Sequence, residues 1–341
     1  MLWKVSMMRF ALAASLTVLA CTPDIPETPA PPGPDLTCHG AQCSVGWSTF
    51  EGPDFDPHLL VAVSESQLWA VAPEQASYFD GQTWQTPTPY PKRFSVDAAF
   101  GSSASDLTLV GRNLDSPYYQ PVAMQWNGQS WTNLHPPGIE GQPLYDVWGT
   151  SSSDFWAAGH NRFLRWNGSE WTPATLPFSA LRFQVRSLHG SAANNIWAVG
   201  SRGDNASPFV LRFNGTAWED QTPPTEAGLS SASDGWTSSP ANAWLVGWDS
   251  DEKGYAHRFN GQQWQTYRTD APLHTVWGTS ASDVWFLGGN GEGRGKVYHW
   301  DGAELIEVTV PTAQPLYSAA SASPKRIWFR GLNGVLVKYE R

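Results

Sequence analysis

Four stretches of this chain carry residue types whose spacing could do chemistry. Asp249-x-Asp251-x-Lys253-Gly254 opens like a calcium loop, in which alternating carboxylates wrap a hard cation. Lys253 stands where the third oxygen ligand belongs, and no distal Glu follows at the required place. Gly291, Gly293 and Gly295 before Lys296 have the look of a phosphate loop. Asn290 replaces its first glycine, however, Val297 replaces its hydroxyl residue, and the setting is strand to strand. Cys38, His39 and Cys43 lack a fourth zinc ligand, and an even cysteine pair in an exported chain is expected as a disulfide. Arg202-Gly203-Asp204 spells an adhesion tripeptide, but three residues recur by chance too often to count. Neither a Gly-x-Ser-x-Gly elbow nor a His-Glu-x-x-His helix motif is present. The chemistry points to no catalytic residue, no metal and no cofactor.

The elements that position these residues are strands, because the chain repeats. Tyr145 to Thr172 holds four short strand patterns, with a Ser-rich turn between the first two and Asn167-Gly168 between the last two. A Trp two residues after Asp or Asn recurs at Trp156, Trp197, Trp244 and Trp285, and a weaker copy ends at Trp328. The steps between these Trp residues are 41, 47, 41 and 43 residues. Further degenerate copies, Gln67-Leu68-Trp69 and Asp106-Leu107-Thr108, bring the number to seven. A second signature, Asn/Asp-Gly-x-x-Trp, ends at Trp84, Trp131, Trp171, Trp218 and Trp264, with a weakened sixth copy at Asp301-Gly302. Four strands at this period specify a β-propeller. The missing seventh copy is matched by Val45 to Phe50 at the other end, so the sequence predicts an all-β, seven-bladed propeller whose last blade is closed by residues 45–50. Runs such as Ile196-Trp197-Ala198-Val199 are apolar on both sides, as a strand sandwiched between blades requires. The Asn-Gly pairs are expected at the centre of two-residue hairpin turns.

The domain plan has three parts. Residues 1–20 read as a signal peptide, with Lys4 and Arg9 before an apolar run too short to span a membrane. Val18-Leu19-Ala20-Cys21 resembles a bacterial lipobox, which implies that Cys21 is acylated and anchors the chain in the bilayer. Residues 21–36 hold Cys21 and six prolines without an aromatic residue. At about 3.1 Å per residue such a segment is an extended tether of roughly 40 Å. The propeller then occupies 37–341. The net charge of −10 argues against nucleic acid and against an electrostatic grip on anionic lipid. It suits a monomeric soluble head.

Strand alternation sends the Ser-rich turns and the Asn-Gly turns to one face. The other face receives the loops between second and third strands and the links between blades, which are long and dissimilar. Function belongs with what departs from the repeat. The binding-face candidates are therefore Arg112, Tyr118 and Tyr119 in blade two and Arg202 and Asp204 in blade four. Blade five adds Trp248, Asp249 and Asp251, and blade six Glu292 and Arg294. Aromatic rings beside arginines and carboxylates suit a protein or a glycan.

Val147-Trp148-Gly149-Thr150 through Trp156 and Val276-Trp277-Gly278-Thr279 through Trp285 resemble the repeats of lipoproteins abundant in myxobacteria and related deltaproteobacteria. The resemblance covers roughly residues 45–341 and implies the bacterial cell envelope, with the outer membrane favoured by the absence of an acidic residue directly after Cys21. Its functional implication is a non-catalytic binding or scaffold module for an envelope protein or glycan. The alternative is a sialidase-like glycoside hydrolase, since Ser77 to Trp84 is similar to that family's Asp-box hairpin. Asp80 stands one place late in it, and no Arg-Ile-Pro strand or Tyr/Glu pair accompanies it.

Overall fold

The computed structural model describes residues 18–20 and 46–341 except 88, 91–93, 116–119, 138–141, 179–181, 225–230, 291–293 and 313. For Val18–Ala20, Asn290 and Arg294 only the backbone is described. Seven antiparallel sheets follow one another along the chain. In blade three the order from the axis outward is Leu144–Ser151, Asp154–Gly159, Phe163–Trp166 and Trp171–Pro173. The inner strands of neighbouring blades pack side by side, and the ring closes where the inner strand of blade seven, Leu316–Ser323, meets that of blade one, Leu59–Ala62. The outermost strand of blade seven is Trp47–Thr49, paired antiparallel with Val337–Tyr339. Trp47 drives its ring between Trp285 of blade six and Phe329 of blade seven, at centroid distances of 5.8 and 5.0 Å. The seam is thus stapled by aromatic packing as well as by backbone pairing. Val18–Ala20, inside the expected signal peptide, runs parallel to Ala99–Gly101 of the blade-two inner strand. Among the described residues, no helix is long and apolar enough to cross a membrane.

The repeated Trp residues form the core because both faces of each middle strand are covered. Trp69, Trp244, Trp285 and Trp328 rank among the largest fully buried side chains. The Asp or Asn two residues before Trp156, Trp197, Trp244 and Trp285 is structural, as its repetition suggests. Asp283 Oδ1 accepts hydrogen bonds from His299 Nε2 at 2.7 Å and from the Trp285 indole at 3.1 Å. Thr279 and Arg341 also donate to this carboxylate. Asn195 repeats the arrangement with the Trp197 indole and Arg212 as donors, and Asp154 does so with Thr150 and Arg165. The acidic residue therefore joins three strands of its own blade, reaching further than a local turn cap. Each such group satisfies buried donors that would otherwise cost about 1–3 kcal/mol.

The Asn-Gly turns differ from expectation by one place. Trp166 pairs with Trp171, and Asn167 N donates to Glu170 O at 3.2 Å. The central residues are Gly168-Ser169, and only the glycine takes a positive φ, 93°. Asn167 Oδ1 instead accepts the amides of Ser169 and Glu170. Asn127, Asn214, Asn260, Asp301 and Asp80 cap the equivalent turns in the same way. Asp80 is thereby the turn residue of blade one, whatever its likeness to an Asp box.

Candidate functional site

At their variable-face ends the inner strands carry a β-bulge. The extra residue is Asp97 in blade two, Tyr145 in three, Arg186 in four, His274 in six and Tyr317 in seven. In blades one and five the amides of His58 and Ser233 donate to Val71 O and Val246 O at 2.7 and 2.9 Å, in the corresponding place. A bulge kinks the strand and re-aims one side chain. The five bulged blades therefore set Asp97, Tyr145, Arg186, His274 and Tyr317 around the mouth of the central channel. The next residue inward does the opposite job. Asp146 takes the amide of Leu188 at 2.6 Å, Asp234 takes that of Val276 at 2.9 Å, and Thr275 donates to Tyr317 O at 2.8 Å. These bonds tie each inner strand to the next blade. Burial pushes the Asp146 carboxyl well above its usual range, against the pull of the Leu188 and Val147 amides.

The bulge also explains a glycine. Three residues after Trp156, Trp197, Trp244, Trp285 and Trp328 stand Gly159, Gly200, Gly247, Gly288 and Gly331, whereas Ala72 follows Trp69. A Cβ on Gly159 would lie 2.1 Å from Pro143 O, and one on Gly200 2.0 Å from Gln184 O. Only a residue without Cβ lets the bulged strand approach this closely.

Blades two to four hold the most polar part of the mouth. Arg112, a sequence candidate, pairs with Asp97 at 3.4 Å. Asp97 is buried, and its other oxygen, Oδ2, has no hydrogen-bond partner. Burial pushes this carboxyl up to about 7, with Arg112 only partly opposing it. Tyr145 sits within the fields of Arg112, Asp97 and Arg186, and burial raises its phenol. The Arg186 Nε is buried without a protein acceptor, and burial lowers its guanidinium below the usual value. Arg162, in the adjoining blade-three loop, also has a buried Nε without a partner. Neighbouring Asn161 exchanges hydrogen bonds with Phe183 through both its amide and its side chain, which holds that loop against the start of the blade-four inner strand.

The opposite side of the mouth is more aromatic. Trp248 meets His274 edge to face at 5.1 Å, and the Arg330 guanidinium lies 5.9 Å from the Tyr317 ring. Arg330 also donates to Pro57 O and pairs with Asp56. Both histidines are held below the ordinary imidazole value, His274 by burial and His58 by burial and Arg330.

The other sequence candidates fall outside this constellation or serve the loops themselves. Asp249 Oδ1 accepts the amides of Asp251 and Lys253 at 3.0 Å, and Oδ2 accepts from Arg268. Its oxygens shape the loop, and Asp251 projects into solvent. Arg202 stacks on Phe178 at 4.8 Å and pairs with Asp220, whereas Asp204 meets Arg182 in open solvent. Tyr90 and Phe178, in the links between blades, pack inward: Tyr90 is buried with its hydroxyl on Ala72 O, and Phe178 meets Phe209. Cys21, Cys38, Cys43, Tyr118, Tyr119 and Glu292 lie outside the described residues, as does the side chain of Arg294. Among the described residues, no group of three or more His, Cys, Asp or Glu is placed to hold a metal. The mouth residues other than Arg112 escaped the sequence reading, although Gly159, Gly200, Gly288 and Gly331 stand opposite the bulges that aim four of them.

A second concavity, of about 610 Å³, lies at the seam between the closing strand and blade one. Phe50, Phe79 and Trp84 floor it, with Glu51, Asp54 and Lys338 at its sides. Trp84 donates its indole to Glu51 O at 3.1 Å, so part of this wall is the link that joins the closing strand to blade one.

The fold is that of a seven-bladed β-propeller, and solved propellers resemble it over most of their length. YCF48 bound to D1 peptide superposes with a TM-score of 0.64 at 16% identity, over 87% of this chain and 97% of that one. YCF48 from Cyanidioschyzon merolae gives 0.60 at 16% identity, over 86% and 98%. Streptogramin B lyase gives 0.62 at 14% identity, over 86% and 96%. No family model and no curated protein matches the chain. These likenesses define the architecture, and the same architecture serves both binding proteins and enzymes.

Proposed function

We propose that the chain is a lipid-anchored propeller of the bacterial envelope, held by Cys21 and its proline tether, that binds a protein or glycan through its variable face without turning it over. One observation carries this reading. Among the described residues the exposed large hydrophobics are Leu114 at 43%, Tyr317 at 36% and Leu332 at 40% exposure, and all three lie on the variable face. Leu114 and Leu332 occupy loops between second and third strands, and Tyr317 stands at the channel mouth. Tyr317 is itself a mouth residue, with Leu332 on the same blade and Leu114 two blades on, while the opposite face is made of repeated polar turns. Exposed apolar side chains gathered on one face beside polar groups are how a binding surface departs from ordinary surface. That YCF48 has been solved with a peptide adds support for a propeller of this shape as a recognition module.

The observation favouring a hydrolase is Asp97, whose raised carboxyl has the character of a general acid. A glycosidase needs a second, facing carboxylate. Asp249 is spent on its own loop, and Asp56 is paired with Arg330. Crosslinking capture of the lipidated protein from its own envelope separates the two. A stoichiometric partner, lost when the 201–205 and 248–254 loops are replaced by short turns, is the expected result. Turnover of a glycan panel that disappears in Asp97→Asn, with no partner captured, would put the hydrolase in its place.

A further inference from the structure

We propose that Arg186 and Arg162, beside Tyr145, form a carboxylate-binding site at the channel mouth that takes an acidic side chain or terminal carboxylate of a peptide. This deepens the binding reading above and rests on it. The two guanidiniums differ from the other arginines around them. Arg112 has Asp97, Arg330 has Asp56 and Arg202 has Asp220, at 3.3 to 3.5 Å. Arg186 and Arg162 make no ion pair among the described residues, and each has a buried Nε with no protein acceptor. Both arginines are only partly buried, so their unsatisfied Nε groups are reached from the mouth, and a carboxylate delivered from outside would satisfy them. A fork of parallel N–H donors matches a planar carboxylate with two bonds.

The location adds to the case. The chain carries a net charge of −10, so two half-buried arginines with unsatisfied Nε groups on neighbouring blades run against its overall field. Asn161 pins the Arg162 loop to Phe183 in both directions, three residues before Arg186. The two side chains are therefore held by the scaffold, and binding requires little ordering. A peptide fits the surroundings better than an acidic sugar. A sugar ring stacks on an open aromatic face, but Trp248 is covered edge-on by His274 and Tyr317 lies next to Arg330. Leu114 and Leu332 on the rim offer apolar contacts for the side chains that flank an acidic residue.

The experiment uses the tethered propeller and four probes: a fluorescent peptide of alternating glutamate and leucine, the same peptide with lysine for glutamate, trigalacturonate and inorganic phosphate. The glutamate peptide should bind, weaken with added salt and lose about tenfold or more in affinity in both Arg186→Gln and Arg162→Gln. Arg186→Lys, which keeps the charge but not the fork, should fall between, and it decides the matter if the Gln variant fails to fold. Equal binding of the peptide by wild type and both Gln variants would overturn the proposal, as would preference for the lysine peptide, trigalacturonate or phosphate. Partner capture tells the two failures apart. A partner kept by Arg186→Gln but lost on loop replacement removes the carboxylate site and leaves the binding reading intact.

Discussion

The two faces of this propeller use charge in opposite ways. On the regular face most buried carboxylates and amides are spent on holding the blades together, although one oxygen of Asp106 has no partner. Asp283 is encircled by Thr279, Trp285, His299 and Arg341, and its equivalents Asn195 and Asp154 are similarly engaged. On the variable face the channel mouth leaves charges partly or wholly unspent: one oxygen of Asp97, and the Nε groups of Arg162 and Arg186. Groups that recur in each blade hold the blade together. Groups that occur once, and are left short of partners, are available to something else. The difference predicts opposite signs for similar substitutions.

The largest effect belongs to the regular face. Asp283→Ala should cost about 3–5 kcal/mol, because His299 and Arg341 lose a buried anion, and urea unfolding would read it as a lower midpoint. Burial alone would raise this carboxyl, but His299, Arg341 and Thr279 outweigh it and hold it below the usual value. The wild-type contribution is therefore present above the unfolded carboxylate range and is lost as pH falls. A midpoint unchanged in Asp283→Ala would show that the encircled carboxylate is not structural.

Asp97 has the other sign. Its folded carboxyl is raised to about 7, so its contribution is complete below the unfolded value and is lost as pH rises towards 7. Asp97→Asn should thus gain on wild type by a few kcal/mol at most between pH 4 and 8, read as the difference between two stability-against-pH curves. A constant difference across that range would remove the raised carboxyl from the comparison.

Smaller effects sharpen the contrast. Gly168→Ala forces a Cβ onto a residue at φ 93° and to 3.0 Å from Ser153, which should cost about 1 kcal/mol in the same unfolding assay. Arg186→Gln on the other face should leave stability within about 1 kcal/mol of wild type, since the half-buried guanidinium makes no ion pair among the described residues. Marked destabilisation by Arg186→Gln would mean that its guanidinium is already satisfied within the fold.

The blade plan was legible in the sequence because a propeller repeats its physics. Each Trp must be buried from both sides, and each tight turn needs its glycine, so the same spelling recurs seven times. The closing strand was legible by subtraction, from the missing outer strand after Tyr339 and the spare one at Trp47. The channel mouth was not, because position rather than residue type makes it. Asp97, Tyr145, Arg186, His274 and Tyr317 follow no common spelling. They share a bulge, and the only trace of it is a glycine on the partner strand. Loop composition misled for a related reason. Asp249 and Arg202 look like ligand contacts in sequence, yet backbone amides and an aromatic ring claim them first.

The most direct test of the account is partner capture by two variants matched in the number of changes. One carries Arg112→Gln, Arg162→Gln and Arg186→Gln at the channel mouth. The other carries Glu170→Gln, Glu219→Gln and Gln263→Glu on the repeated turns. The account predicts that the turn variant retains the wild-type partner while the mouth variant loses it, with both folded. Loss of the partner by the turn variant alone would place recognition on the regular face and contradict the account.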